Sequence, residues 1–198
     1  MQVARPGLKI APRYDLYIGP KETSQSLDAK QKMLLAAYQS VNGNIFMTGL
    51  LSAGWSHLLN SDPKYGTDKG AFGQRYGAAI LRETSQSIFA GGIGDVLLQD
   101  DPRYYILGRS HSILGRGLYS AERVFVTRAD DGHQRVNLPL LIGYIGAAAL
   151  TQTYYPSASQ GATVVMKSYA ASLGGSALGF EFHEFIGDAL RITHIKKD

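Results

Sequence analysis

The stretch VNLPLLIGYIGAAALTQTYYPSASQGATVVMKSYAASLGGSALGF, from Val136 to Phe180, decides the fold class. Lys167 is its only charged side chain, whereas an ordinary soluble domain carries a charge about every four residues. Apolar residues recur at helical spacing on both sides of Tyr154-Tyr155-Pro156. This predicts one helix over 138–153, with Pro139 tolerated in its first turn. A second is predicted from about Gln160 to Arg191, with Gly174-Gly175 as its candidate break. So apolar a stretch must be buried in the chain's own core, in a partner or in lipid.

Upstream, the pattern stays helical. Ser26 or Asp28 can cap a helix running toward Asn60, whose stripe is Leu34, Tyr38, Val41, Ile45, Ser52, Trp55 and Leu59. Residues 33–61 contain no Asp, Glu, Lys or Arg. Apolar residues on the other faces of its second half mark an enclosed helix. Gly43 is a candidate kink. A further helix covers about 69–98, where Gly70, Gly73, Gly77, Gly91, Gly92 and Gly94 place small residues on adjoining faces. Repeated glycines in a helix cost about 1 kcal/mol each against alanine, so they point to close backbone approach. The repeat Ile106-Leu-Gly-Arg, Ile113-Leu-Gly-Arg sets Arg109, Arg116 and Arg123 seven residues apart, and from Ser112 to about Val126, where a helix is expected, that spacing holds the arginines to one face. Thr127 to His133 reads as a polar loop. No strand-like alternation persists. The expectation is an all-α fold of five or six helices, a Gly/Ala-rich bundle. An extended, proline-punctuated arm over 1–25 precedes a single helical domain over 26–192 and a basic tail over 193–198.

Composition restricts the chemistry. The chain has 198 residues, a net charge of +4 and no cysteine, which removes disulfides, thiolate nucleophiles and thiolate metal sites. There is no phosphate loop. Gly92-Ile-Gly-Asp-Val-Leu97 fails the dinucleotide rule, Gly54-Trp-Ser-His-Leu58 lacks the closing glycine of a nucleophile elbow, and His183-Glu184 has no second histidine four residues on. These absences point away from an enzyme and imply no cofactor. Residues 1–22 lack the apolar core of a secretion signal. The chain therefore reads as cytosolic or as beginning near a processed end. Neither 33–61 nor 138–155 makes more than a marginal membrane span.

Four polar constellations remain. Asp95 and Lys167 each interrupt an apolar run and are a candidate buried pair, the alternative being that both reach water at helix ends. Glu181, Glu184 and Asp188 share a helix face beside His183 and are secondary metal candidates, or a solvated acidic face. Arg103, Arg109, Arg116, Arg123 and Arg128 form a stripe for phosphate groups or an anionic surface, or else pair with Asp100, Asp101, Asp130 and Asp131. The stripe offers no regular ladder of aromatic stacking partners for bases, which argues against nucleic acid. His57 reads as a core histidine. In the arm, Leu16, Tyr17 and Ile18 are a candidate clasp across the parent domain or a neighbouring subunit.

Ser26-Leu-Asp-Ala-Lys-Gln-Lys-Met33, Gly73-Gln-Arg-Tyr-Gly-Ala78, Gln99-Asp-Asp-Pro-Arg-Tyr-Tyr105, Arg128-Ala-Asp-Asp-Gly132 and Tyr154-Tyr-Pro156 occur in that order. Over about residues 26–190 they resemble a family of proteins, without assigned activity, found mainly in Acidobacteria. The resemblance implies export and processing, with a periplasmic or outer-membrane-associated location. It implies no reaction. Where that family often has His-Gln-Asp-Pro-Arg-Tyr, this chain has Leu98-Gln99-Asp100-Asp101-Pro102-Arg103-Tyr104, which argues against a catalytic histidine at the turn.

Together these features lead to a non-enzymatic envelope protein, a homo-oligomer that self-associates through small-residue faces and contacts membrane or anionic surface groups. The alternatives are a soluble helical module holding a lipid or apolar molecule in its core, and a hydrolase using Asp100, Asp101, Arg103 or His133.

Overall fold

The computed structural model describes residues 8–192. The basic tail lies outside them, as do the first seven residues of the arm. The fold is all-α, with six helical rods among the described residues. Helix α1 spans Ala29–Gln39 and α2 spans Gly43–Leu58. The third rod is α3 (Lys69–Gln86), a π-wound segment (Ser87–Gly94) and α4 (Asp95–Leu98). Then come α5 (Ile113–Glu122), α6 (Leu138–Leu150) and α7 (Ala162–Ile192). The 69–98 helix thus runs to its expected bounds, with Gly91, Gly92 and Gly94 wound as π-helix rather than opened as a loop. Gly174-Gly175 does not break α7.

The expected single helix from 26/28 to 60 is two. Asp28 and Gln31 form a reciprocal capping box on α1, but the chain leaves helix at Ser40. Asn42 then restarts it by accepting from the backbone N–H groups of Asn44 and Ile45. This break overturns the expected stripe, of which Ile45 alone is buried. In its place α1 buries Lys32, Leu35 and Ala36, and α2 buries Ile45, Gly49, Ala53 and Ser56. The inner faces carry small residues because the helices approach closely. A Cβ added to Gly49 would stand 2.6 Å from Ile80 Cδ1. One added to Gly143 of α6 would stand 2.6 Å from the backbone N of Ala90 in the π segment. Of the glycines on which self-association was expected, Gly91, Gly92 and Gly94 pack within the chain against Ala36, Met33 and Pro139, whereas Gly70, Gly73 and Gly77 are exposed on α3.

Short strands, which the sequence reading did not anticipate, tie the helices together. β1 (Lys9–Ile10) pairs in parallel with β3 (Glu22–Thr23). β2 (Tyr17–Ile18) pairs in parallel with β5 (Tyr104–Tyr105). β4 (Asp100–Asp101), β6 (Val126–Ala129) and β7 (Gln134–Val136) form an antiparallel sheet, so the expected polar loop is a hairpin. The clasp closes on its own domain. Ile18 is fully buried, and the Tyr17 ring stacks on His183 of α7 at 3.5 Å between centroids. Polar side chains cross the remaining seams: Gln86 Nε2 donates to Ser172 Oγ (2.6 Å), and the Tyr144 and Ser176 hydroxyls lie 2.7 Å apart.

Candidate functional site

The seven-residue arginine spacing does place Arg116 and Arg123 on one face of α5, but that face turns inward against α7. Arg116 Nε donates to Glu184 Oε1 (2.8 Å), and its Nη1 donates to Asp188 Oδ2 (2.7 Å). Glu184 also accepts from the Tyr104 hydroxyl (2.9 Å) and from the backbone N–H groups of Leu107 (3.1 Å) and Gly108 (3.0 Å). Arg109 Nε holds the other Asp188 oxygen at 2.6 Å. Partial burial would raise the Asp188 carboxyl, but hydrogen bonds from Arg116 and Arg109 outweigh it and keep the group below its ordinary range.

Glu184 and Asp188 are therefore neutralised by arginine. Among the described residues no group of three His, Asp or Glu side chains is arranged to hold a metal ion. Glu181 is half-buried on the same helix and takes no part in the network.

The other arginines are also turned inward or engaged. Arg103 makes a two-pronged pair with Asp101 (2.7 and 2.9 Å), which also accepts from the Tyr105 hydroxyl at 2.6 Å. The Arg128 guanidinium lies 4.2 Å over the Tyr105 ring. Arg123 is buried beside the Tyr119 ring, and burial lowers its pKa. The expected surface stripe is thus corrected. Arg103, Arg116 and Arg123 are interior residues, and Arg109 alone of the five is exposed.

The Asp95–Lys167 pair is also corrected. Lys167 is exposed on α7, and the cation beside Asp95 is Lys32. Lys32 is buried in α1, where its Nζ donates to the Asp95 carbonyl (3.1 Å) and to Asp130 Oδ2 (2.7 Å). Its signal was legible, since it shares a helical face with Leu35 and Ala36. Arg135 reaches Asp100 and the Leu98 carbonyl, leaving Asp100 Oδ2 buried without a partner. Over these groups lies an open depression of about 380 Å³ lined by Ser26, Leu27, Gln99, Ala129, Asp130, Asp131 and Arg135. His133 is fully outside, paired with Asp131 at 3.1 Å. Asp101 and Arg103 thus engage each other, Asp100 engages Arg135, and His133 engages Asp131.

Burial drives the Asp95 carboxyl well above the ordinary range. Like charge from Asp100 adds to this, and Lys32 offsets only part. Between its ordinary value near 3.9 and the raised one, the folded state binds more protons than the unfolded. The stabilisation from protonated Asp95 is present at low pH and lost as pH rises through the raised value. Asp95→Asn should match the parent near pH 4 and exceed it in stability toward pH 8, read by urea unfolding across that range. Parallel pH profiles for the two proteins would refute the assignment.

Arg75 of α3, within the Gly73–Ala78 segment, is fully buried and reaches the α2–α3 turn. It donates to the carbonyls of Ser61 (2.7 Å) and Gly66 (3.1 Å).

Alongside exposed charges such as Lys30, Lys64, Lys69 and Lys167, several helices carry bulky apolar side chains on their outer faces. Phe46, Met47, Leu50, Leu51, Trp55 and Leu58 face outward on α2, Ile113, Leu114 and Leu118 on α5, and Leu178 and Phe182 on α7. Contiguous exposed apolar surface of this kind marks contact with another protein or with lipid. No helix of the described residues is long and apolar enough to cross a membrane. No known protein family, curated protein or solved structure matches the chain. The site is therefore defined by its own geometry.

Proposed function

We infer that the protein is a non-enzymatic assembly subunit, and that its outward apolar helix faces are covered by other copies of the chain at the cell envelope. One observation carries this reading: several charged side chains lie in the interior while a run of bulky apolar ones stays exposed. Lys32, Arg75, Asp100, Arg103, Arg116 and Glu184 are buried and engaged inside, while bulky apolar side chains occupy the outer faces of α2 and α5. A lone folded chain would hold that apolar surface in water at a cost of roughly 25 cal/mol per Å², and association removes it. The envelope location rests on the Acidobacterial resemblance. Contact with anionic groups is left to Arg109 and Arg128.

The test is the mass of the native particle. The protein, exported behind a signal peptide, is extracted with high salt and separately with mild detergent, and each extract is weighed by light scattering. A defined multiple of 21.5 kDa is expected. A 21.5 kDa monomer released into plain buffer would overturn the reading.

A further inference from the structure

We propose that α2 is the self-association surface, and that two copies pack α2 against α2, antiparallel, about a two-fold axis near Leu51 and Gly54. This rests on the reading of the chain as a self-associating subunit and names the face that does it.

Helix α2 lies at the edge of the bundle. Its inner face, Ile45, Gly49, Ala53 and Ser56, packs against α3. The opposite face has no neighbour among the described residues. There Met47 is 58% exposed, Leu51 69%, Trp55 68% and Leu58 81%. These residues recur at helical spacing and form a seam along the whole helix. Together these four present on the order of 600 Å², most of the roughly 800 Å² that one partner contributes to a standard stable interface. Gly54 is part of this seam, and a Cβ built on it meets nothing within 4 Å. It leaves a notch between Leu50, Leu51 and Leu58 into which a facing side chain fits.

A second copy suits this face better than lipid. A two-fold contact sets the same surface against itself, so like charges on it would repel. Residues 33–61 carry no Asp, Glu, Lys or Arg, so α2 is self-complementary. Helices that lie on membranes carry Lys and Arg on their polar side to hold anionic lipid, and this segment has none. At 16 residues α2 is about 24 Å long, short of a hydrocarbon core of about 30 Å.

The chain has no cysteine, which makes the contact directly testable in the full-length protein. Gly54→Cys under mild oxidation should give a disulfide-linked dimer, while Ala170→Cys, exposed on α7, should not. Leu51→Glu with Leu58→Glu should weaken dimerisation by about 100-fold or more, as loss of central interface anchors does. Both positions are exposed, so far-ultraviolet circular dichroism and melting at subunit concentrations below dissociation should be unchanged.

An oligomer that survives the double substitution and does not cross-link at position 54 overturns the α2 interface and leaves self-association standing. A parent monomer overturns both. Parent protein that stays monomeric but binds phosphatidylglycerol–phosphatidylcholine vesicles, with binding lost in the double variant, assigns α2 to lipid and overturns the proposal.

Discussion

Glu184→Ala should lower the unfolding free energy by about 3–5 kcal/mol, the usual cost of removing one partner from a buried ion pair. The carboxylate serves four donors, namely the Tyr104 hydroxyl, the Leu107 and Gly108 N–H groups and Arg116 Nε. Arg116 would keep Asp188, but two backbone donors and a phenol would lose their acceptor in a place that Glu184 fills with 2% exposure. Each unsatisfied buried group costs about 1–3 kcal/mol. For a chain of this size the melting temperature should fall by roughly 10 °C. Glu181→Ala, one turn earlier and outside the network, should stay within about 0.5 kcal/mol of the parent. Equal effects from the two substitutions would show that Glu184 is not the tie between α5, α7 and the β5 segment.

Gly143→Ala should cost about 3 kcal/mol or more, at the upper end of overpacking. The added methyl would meet Ala90 at its N (2.6 Å), Cα (2.8 Å) and Cβ (2.9 Å). Two of these are backbone atoms, so no rotamer change can clear them and α6 must move off the π segment. Gly146→Ala, on the same helix, would meet Phe89 Cδ2 at 3.5 Å, an ordinary contact. It should be neutral or stabilising, by up to about 1 kcal/mol from helix propensity. Chemical denaturation of the two variants separates close approach from propensity. If Gly143→Ala is as well tolerated as Gly146→Ala, α6 does not sit on Ala90 as described.

These two expectations also show where sequence reading stopped. The close approach expected of the 69–98 glycines holds at Gly92 and Gly94, beside Met33 and Pro139, and fails at Gly73 and Gly77, where an added Cβ meets nothing within 4 Å. Sequence could not single out Gly143, because it and Ala90 are joined only in the folded bundle. The arginines were likewise on one face, as their spacing required. Periodicity says which residues share a face and nothing about what that face meets, so an inward ion-pair network was read as a surface stripe. Lys32 and Asp130, 98 positions apart, could be paired only by folding.

The sequence by itself determined the helices, because capping side chains, periodic apolar residues and proline-bounded turns act within a few residues of one another. Asp28, Asn42, Asp68 and Ser112 all cap where the chain begins a helix. It also determined that a charge-poor surface needed covering. Only the tertiary structure decided which side of each helix was inner. A helix with apolar residues around most of its circumference has no preferred face of its own, so the choice falls to packing. On α2 packing favours Gly49 and Ala53, whose small size lets α3 come close, and turns Trp55 and Leu58 outward.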